Sequence, residues 1–462
     1  MSNVRTPTAV VADAAEDLAL IAALMGGTRA MRTGAKTYLP QWPNEADDAY
    51  SARLSTATLF PAFPRTVEVL AAKPFSRPIT LGEDIPPRLR EWSEDIDLQG
   101  RSLHSYAAAL ADAVLAEGMA GILVDYPTKG KGVKTVADER RAGLRPYFVH
   151  IRKGDILGWR SKRINGVETL TQLRLLESAT VDDGPFGEKT IEQVRVLYIG
   201  KWETWRETEK VDADGKKIWE VHQSGTTTLK RIPFVVAYGK RTGFMTAVPP
   251  LMELAHANVE HWQSKSDQQT ILHVARVPIL FAKNLGDAQI VVGASTAIKA
   301  DSADADLKFV EHTGKAIEAG RLSLLDLEDR MRQAGAELLV IKPGNVTEVQ
   351  TLADNEQGMC ALQRIAHDEE DAIDAALQLM AEWVGEAQGG HVTIYKEFGA
   401  ATLAQASLEL LRDMNIDGTF SDESLFREAQ RRGVISPELD WNAEKTRIAA
   451  NLKRPGAPVI QD

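Results

Sequence analysis

The chain has 462 residues, of which 44% are hydrophobic and 26% are charged, so it has enough apolar material for a packed core and is not disordered as a whole. Its formal net charge of −11 excludes a generally basic surface that would bind phosphate backbones everywhere. One cysteine, Cys360, excludes an intrachain disulfide and fits a reducing compartment. The sequence predicts neither a secretory signal nor a transmembrane span, so we expect no membrane partner.

The first quarter of the chain predicts helices. Apolar residues at helical spacing over 10–25 end at Gly26-Gly27, and a second helical pattern begins at Asn44. Pro61 and Pro64 interrupt that second pattern, which predicts a kink or two abutting helices. An alanine-rich helix over 103–118 should end at Gly118, and a short buried strand is expected at 121–125.

Residues 146–240 form the strongly β part of the sequence. Turn residues separate its extended stretches at Asn165-Gly166, Asp182-Asp183-Gly184 and Asp214-Gly215. Asn-Gly and Asp-Gly suit tight hairpin turns because both central positions tolerate positive φ. The predicted strands are 146–151, 169–176, 191–199, 201–206, 217–222 and 232–238.

The rest of the chain returns to helices. A helix over 251–275 is amphipathic at first, but its middle, 263–269, is polar on every side and therefore needs neighbours or solvent all round. Further predictions are short extended pieces (277–282, 288–292, 307–310), a helix over 316–337, a break at Pro343-Gly344-Asn345, a helix of about 37 residues over 347–384, a strand at 391–398 and terminal helices at 402–413, 421–432 and 440–452. The expected fold class is α+β, predominantly helical.

Two features of the sequence could carry catalytic chemistry. Glu253, His256, Glu260 and His261 cluster on the helix 251–275, but a metal site there needs matching ligands from a second helix, so a solvated or subunit-facing helix is favoured. Cys360 has no local feature that would lower its pKa and is expected in the core. The sequence contains no Walker loop, no serine elbow and no dinucleotide-binding glycine motif. We therefore expect no enzyme activity, no metal and no cofactor.

A basic segment follows the predicted strand at 121–125. Two interpretations remain open: a solvated flexible loop, or a local patch that contacts nucleic acid or an acidic partner. Its cations are Lys129, Lys131, Lys134, Arg140 and Arg141.

An ordered set of short motifs resembles a subfamily of tailed-phage portal proteins that has long been catalogued as a domain of unknown function. The motifs are Leu24-Met25-Gly26-Gly27-Thr28-Arg29-Ala30-Met31-Arg32, Tyr38-Leu39-Pro40, Tyr50-Ser51-Ala52-Arg53-Leu54, Arg65-Thr66-Val67-Glu68, Lys73-Pro74-Phe75, the segment 118–127, and the segment 307–314 leading into 324–335. They are packing and turn motifs, and their order and spacing carry the resemblance.

The resemblance implies a head-to-tail connector ring, usually of twelve subunits, at one capsid vertex. Such rings pass double-stranded DNA during packaging and ejection and dock the terminase, the major capsid protein, the scaffold and head-tail adaptor proteins. The implied location is the virion, with assembly in the host cytoplasm. The implied division is a wing (1–248), a stem helix (249–275), a clip (276–312), a return stem helix with a tunnel-proximal break (313–346), a long wing helix with a strand (347–400) and a crown-like helical segment (401–462).

Candidate residues follow from that expectation. Channel-lining candidates are Lys265, Lys283, Lys299 and Lys342, and subunit-interface candidates are Leu254, Trp262 and Trp383. In a ring of net-negative subunits, DNA would slide and not adhere. Two alternatives remain: an intracellular scaffold or adaptor without a DNA role, and a metal-dependent hydrolase.

Overall fold

The computed structural model describes residues 3–127, 135–211, 215, 217–275, 279–283, 304, 306–310, 315–339, 359–396, 412–418, 421–431, 435–436 and 439–452. The chain divides into two compact units. The first comprises Met1–Leu338 and Ile365–Ile394, and the second comprises Leu339–Arg364 and Tyr395–Asp462. The predicted α+β, mainly helical class is confirmed.

Helices occur along the whole described chain. They are α1 (Ala9–Asp13), α2 (Ala15–Met25), α3 (Gly27–Gly34), α4 (Asp47–Thr56), α5 (Ala62–Ala72), α6 (Pro87–Trp92), α7 (Leu103–Glu117), α8 (Val136–Arg141), α9 (Met252–Ala275), α10 (Lys315–Ala336), α11 (Ala361–Val384), α12 (Asp422–Arg431) and α13 (Trp441–Leu452).

The strands form small antiparallel sheets. They are β1 (Thr80–Leu81), β2 (Met119–Asp125), β3 (Tyr147–Arg152), β4 (Ile156–Ile164), β5 (Val167–Asp182), β6 (Glu188–Tyr198), β7 (Lys201–Val211), β8 (Lys217–Thr226), β9 (Phe234–Tyr238), β10 (Arg241–Gly243), β11 (Thr246–Ala247), β12 (Ile279–Lys283), β13 (Asp306–Val310) and β14 (Val392–Thr393).

Turn and cap residues place most early boundaries where the sequence predicts them. α7 ends at Gly118, whose φ of +87° and contact with the backbone of Val248, 2.6 Å from where a Cβ would stand, both require glycine. The proline pattern resolves into two abutting helices, α4 and α5. Gly26-Gly27 ends α2 as expected, but the chain turns directly into α3 instead of leaving helical structure.

Two sheets share one apolar core. β2 lies between β3 and β9 in a three-stranded sheet, and β4 to β8 form a five-stranded meander in sequence order. Met119 and Leu123 of β2 pack in one buried cluster with Ile156, Leu173 and Leu175 of the meander. This cluster fixes the meander against the rest of the first unit.

The meander extends further than the sequence predicts. Asn165-Gly166 forms the expected two-residue turn, with φ of +51° and +82°, but β4 was not predicted and β5 has 16 residues. The outer part of this hairpin is exposed on both faces, so no apolar and polar alternation marks it as strand in the sequence.

A helical hairpin follows the sheets. α9 leads into the paired strands β12 and β13, and α10 returns beside α9. The extended piece predicted at 288–292 lies outside the described residues. The extended pieces around 277–282 and 307–310 and the helix at 316–337 are confirmed.

The single helix predicted over 347–384 is wrong. α11 begins at Ala361, and Met359 and Cys360 are not helical. The backbone N–H of Cys360 donates to Oε1 of Gln363 at 2.8 Å, which is the hydrogen bond of a helix start. Residues 347–358 lie outside the described part of the chain.

The end of the chain is helical where it is described. α12 and α13 confirm two predicted terminal helices, and the rings of Phe426 and Trp441 pack with centroids 5.2 Å apart. The helix predicted at 402–413 lies almost wholly outside the described residues. The strand predicted at 391–398 is the short β14, which pairs with β1. Among the helices of the described chain, none combines the length and the apolar character that a membrane crossing requires.

One carboxyl group of α11 is buried and lacks a hydrogen-bond partner in the part of the chain that the structure describes. Glu369 is 1% exposed, and neither of its oxygens has a hydrogen-bond partner among the described residues. Burial, with repulsion from Asp112 as a smaller cause, raises the pKa of Glu369 well above its ordinary value. The folded chain therefore holds this proton more strongly than the unfolded chain does.

We expect Glu369→Gln to stabilise the protein increasingly as the pH rises. Because the pKa is raised, the free energy of unfolding of the wild type decreases as the pH rises above the ordinary pKa of glutamate. The total decrease is about 1.4 kcal/mol for each unit by which the folded-state pKa exceeds the ordinary one. Urea unfolding at pH 5 and pH 8 would measure this. Equal differences between variant and wild type at the two pH values would contradict the prediction.

Candidate functional site

The α9–α10 hairpin is held together by polar contacts between its two helices. Nε2 of Gln268 donates to the backbone oxygen of Ile317 at 2.8 Å, and Nε2 of His261 lies 3.4 Å from Oε1 of Glu328. Gly320 lies against Gln268, where a Cβ would collide with the amide oxygen. The two helices are therefore antiparallel and close at this level, and a larger residue at position 320 would have to displace the Gln268 amide.

The base of the hairpin, which is the first half of α9 with the second half of α10, packs in the core of its own chain. Leu254 and Trp262 of α9 are 1% and 0% exposed, and Leu327 and Met331 of α10 are also buried. The prediction that Leu254 and Trp262 face another subunit needs correction, because side chains this deeply buried leave no surface for a second copy. Helical periodicity marks an apolar face but does not distinguish the chain's own core from an interface.

The polar side chains of α9 bond to the backbone of the N-terminal helices. Oδ1 of Asn258 accepts from the N–H of Phe63 at 2.9 Å, and its Nδ2 donates to the oxygen of Phe60 at 2.8 Å. Nε2 of Gln263 donates to the oxygen of Tyr38 at 3.0 Å. Asn258 thus satisfies backbone groups at the start of α5 that no helical partner can reach.

Arg53 joins α4, the preceding loop and α9. Its Nε and Nη2 donate to the two oxygens of Glu45 at 2.8 Å each, and Nη2 also donates to the oxygen of Pro40 at 2.8 Å. The guanidinium lies 4.2 Å from the centroid of Trp42, and Asp267 of α9 is 3.8 Å away. The side chains of Arg53 and Glu45 are only 4% and 5% exposed. The hydrogen bond from Arg53 lowers the pKa of Glu45.

These contacts explain the polar middle of α9. Gln263, Asp267 and Gln268 each meet a partner on a different element of the chain. The sequence left neighbours and solvent open for this stretch, and the structure shows neighbours at these three residues.

The far half of the hairpin exposes apolar side chains. Ile271 of α9 is 36% exposed, Phe281 of β12 is 43% exposed, and Leu322 and Leu325 of α10 are 48% and 42% exposed. Leu322 and Leu325 are three residues apart and so share one face of α10. This set was not predicted from the sequence, because its members stand among other apolar residues, such as Leu324 and Leu327, and the sequence does not show which of them are exposed.

The predicted channel cations are only partly described. Lys265 lies half-buried on α9, and Lys283 is exposed at the end of β12, so both belong to the hairpin. Lys299 and Lys342 lie outside the described residues. The structure neither supports nor contradicts a channel-lining role for these four lysines.

The basic segment is fixed at the point where the chain enters it. Trp383 of α11 stacks on Tyr126, with ring centroids 5.3 Å apart, and its Nε1 donates to the oxygen of Val124 at 3.3 Å. The hydroxyl of Tyr126 donates to Glu139 at 3.1 Å. Burial and this acid raise the pKa of Tyr126 to about 12. Trp383 is half-buried, and its role at a subunit interface stays a prediction.

Most cations of the basic segment lie outside the residues that the structure describes. Lys129, Lys131 and Lys134 lie outside the described residues, and the side chain of Arg140 does too. Arg141 is 78% exposed and donates to Asp138 at 2.6 Å. Both interpretations of the segment, solvated loop and contact patch, therefore stay open.

The residues considered for a metal do not converge. Glu253, His256 and Glu260 are exposed, whereas His261 is buried against Phe60 and Glu328. Burial lowers the pKa of His261. Within the described ranges, no group of three or more His, Cys, Asp or Glu side chains is placed to hold a metal ion.

Comparison with known proteins gives one family match. Residues 250–384 match the model of a family described as a domain of unknown function (DUF4055), which begins just before α9 and ends with α11. No curated protein matches the chain.

Similar solved structures include two from gene transfer agent particles. A chain from a structure described as the virion of a native gene transfer agent particle is 13% identical, with 87% of this chain and 97% of that chain covered and a TM-score of 0.43. A chain from the neck of an empty particle, computed with C6 symmetry, is 10% identical, with 84% and 90% covered and a TM-score of 0.40.

We expect Arg53→Met to destabilise the protein by about 3–5 kcal/mol, because it leaves the carboxylate of Glu45 buried without its partner. The matched control is Arg330→Met, which removes an exposed ion pair with Glu260 and should cost about 0–1 kcal/mol. Urea unfolding of both variants measures the difference. Similar small losses in the two variants would show that the Arg53 pair contributes no more than a surface pair.

Proposed function

We propose that the chain is a subunit of a phage portal, a ring at one capsid vertex that passes double-stranded DNA. The proposal combines the portal-like order of the sequence motifs with one structural observation. The α9–α10 hairpin is anchored at its base by buried polar contacts, and it exposes Leu322 and Leu325 on its far half. Neither feature alone would define a ring.

The exposed leucines favour contact with another copy. An apolar group on a firmly held helix gains free energy when a neighbour covers it, at about 25 cal/mol for each Å² of apolar surface. In a ring, one face of each subunit contacts a different face of the next subunit, so the leucines would pack on another part of the neighbouring copy. Leu322, Leu325 and Ile271 replace Leu254 and Trp262 as our interface candidates, and Trp383 remains one.

The charge of the chain suits a conduit. A subunit with a net charge of −11 repels the DNA backbone overall, which lets the polymer move. Lys265, Lys283, Lys299 and Lys342 would make brief phosphate contacts along the channel. We propose no catalytic role, because the ATPase activity that drives packaging would belong to the terminase.

The proposed parts of the subunit follow the boundaries stated above: wing 1–248, stem 249–275, clip 276–312, return stem 313–346, wing helix and strand 347–400, and a crown-like segment 401–462. The proposed partners are further copies of the chain, DNA, the terminase, the major capsid protein, the scaffold and a head-tail adaptor. The proposed location is the virion after assembly in the host cytoplasm.

An intracellular scaffold without a DNA role is the second candidate. It is favoured by the same exposed leucines, which would serve any protein partner. Symmetry separates the two functions, because a closed ring with an axial hole as wide as a duplex fits a conduit and not an adaptor.

We expect Leu322→Asp/Leu325→Asp to prevent ring assembly while the subunit stays folded, because charged side chains would replace the apolar contact. Negative-stain images of the purified protein would show rings for the wild type and single subunits for the variant. Val69→Asp and Val167→Asp are the controls, because these valines are 59% and 66% exposed elsewhere. Intact rings in the leucine variant would refute this interface, and wild-type protein that forms no ring would refute the portal.

We also expect neutralising Lys129, Lys131 and Lys134 together to reduce DNA packaging or capsid docking without affecting folding. The control replaces Lys201, Lys210 and Lys217, which pair with acids in the meander. DNA content of assembled particles and circular dichroism of the subunit are the measurements. A misfolded triple variant would show that the segment is structural, and unchanged packaging and docking would contradict a contact role.

A further inference from the structure

The N-terminal arm, residues 3–13, lies across the face of the five-stranded meander. Nη1 of Arg174 donates to the backbone oxygens of Val4 and Thr6 at 2.8 Å each, and the N–H of Thr8 donates to the oxygen of Leu157 at 2.9 Å. Nε of Arg5 forms an ion pair with Glu192 at 3.2 Å. Strand β5 thus supplies two hydrogen bonds to the arm, β4 supplies one, and β6 supplies a partly exposed ion pair.

The meander presents a pocket for one arm side chain. Val4 packs on the buried cluster of Leu157, Val194 and Val196. The bonds to backbone oxygens would form with any arm sequence. The contacts at the Val4 pocket and at Glu192 depend on which side chains the arm carries. The meander therefore has the features of a peptide-binding groove: main-chain contacts for affinity and side-chain contacts for selectivity.

The arm fills this groove incompletely. No residue from 3 to 13 is buried, and α1 has no side-chain cap. A cleft of about 380 Å³ lies between the arm and the meander, lined by Trp159, Tyr198 and Trp205 among others, and a second of about 80 Å³ lies beneath α1. Both clefts are open to the surface, so the arm lies on the meander without filling the space beside it.

We propose that the groove on the meander receives the N-terminal arm of a second copy of this chain. An identical arm makes identical contacts, so exchange between neighbouring copies loses none of the bonds described above. Ala14, between α1 and α2, is the position at which the arm would leave its own subunit. The inference rests on the proposed ring only in that copies must lie side by side, and it names a second contact besides the hairpin leucines.

Cross-linking of two single-cysteine variants tests the exchange. Arg5→Cys and Glu192→Cys, made in separate chains and mixed before assembly, place one thiol on the arm and one on the groove. The native thiol of Cys360 is buried, so it remains in the protein, and wild-type rings give the background. A short bismaleimide reagent should join one chain of each variant. The product would have twice the mass of the single chain, which is 50.6 kDa.

A matched pair controls for accidental contact between subunits. Arg231 and Glu382 form an exposed ion pair at 2.6 Å within the first unit, and a mixture of Arg231→Cys and Glu382→Cys should give no chain of double mass. Adding Arg174→Gln to the Glu192→Cys chain should reduce the cross-link, because the two carbonyl bonds are lost.

Two results would overturn the inference. One is the absence of double-mass product in the mixture while the double variant Arg5→Cys/Glu192→Cys reacts within a single chain. The other is equal product in the control mixture. Imaging the same samples shows separately whether rings form, so loss of the arm exchange and loss of the portal function are distinguishable.

Discussion

The structure depends on one constraint: buried backbone groups at the ends of the N-terminal helices must have hydrogen-bond partners. Asn258 and Gln263 of α9 supply them at Phe60, Phe63 and Tyr38. A helix that begins about two hundred residues later therefore completes the first helical block. Loss of the bond to the N–H of Phe63 or to the oxygen of Tyr38 would leave that group without its partner, at about 1–3 kcal/mol.

The same bonds fix the direction of the hairpin. The base of α9 cannot turn without breaking contacts to α5 and to the loop before α4, and Gln268 and His261 bind α10 to α9. Arg53 adds a buried ion pair whose partners belong to the loop, with Asp267 of α9 nearby. The exposed leucines of α10 thus lie on an element that these contacts hold in place, and the entropy lost in the proposed contact would be small.

The sequence predicted the elements whose boundaries are set locally. Gly118 ends α7 and Asn165-Gly166 turns β4 into β5, because positive φ is a local requirement that the residue type reveals. It failed for β4 and for the start of α11. The exposed outer hairpin has no buried face, and the start of α11 depends on a single bond from Gln363. The spacing of apolar residues along the sequence reveals neither the exposed hairpin nor the bond that starts α11.

The candidate site was predicted less well than the fold. Leu254 and Trp262 had the correct periodicity, but a sequence does not say which surface covers an apolar face. For the polar stretch of α9 the sequence left neighbours and solvent open, because the partners that it contacts lie far away in the chain. Leu322 and Leu325 escaped notice because exposure is a property of the folded chain alone.

The order of strands also bears on how the chain folds as it is synthesised. Every pairing in the β4–β8 meander joins strands that are adjacent in sequence, so its contacts are local and form quickly. β2 must wait for β9, and Asp84 and His391, which bond across 307 residues, can meet only when most of the chain has left the ribosome. The arm groove is therefore complete well before the hairpin exists. An early-formed groove occupied by its own arm would keep incomplete chains from pairing with one another before they can assemble.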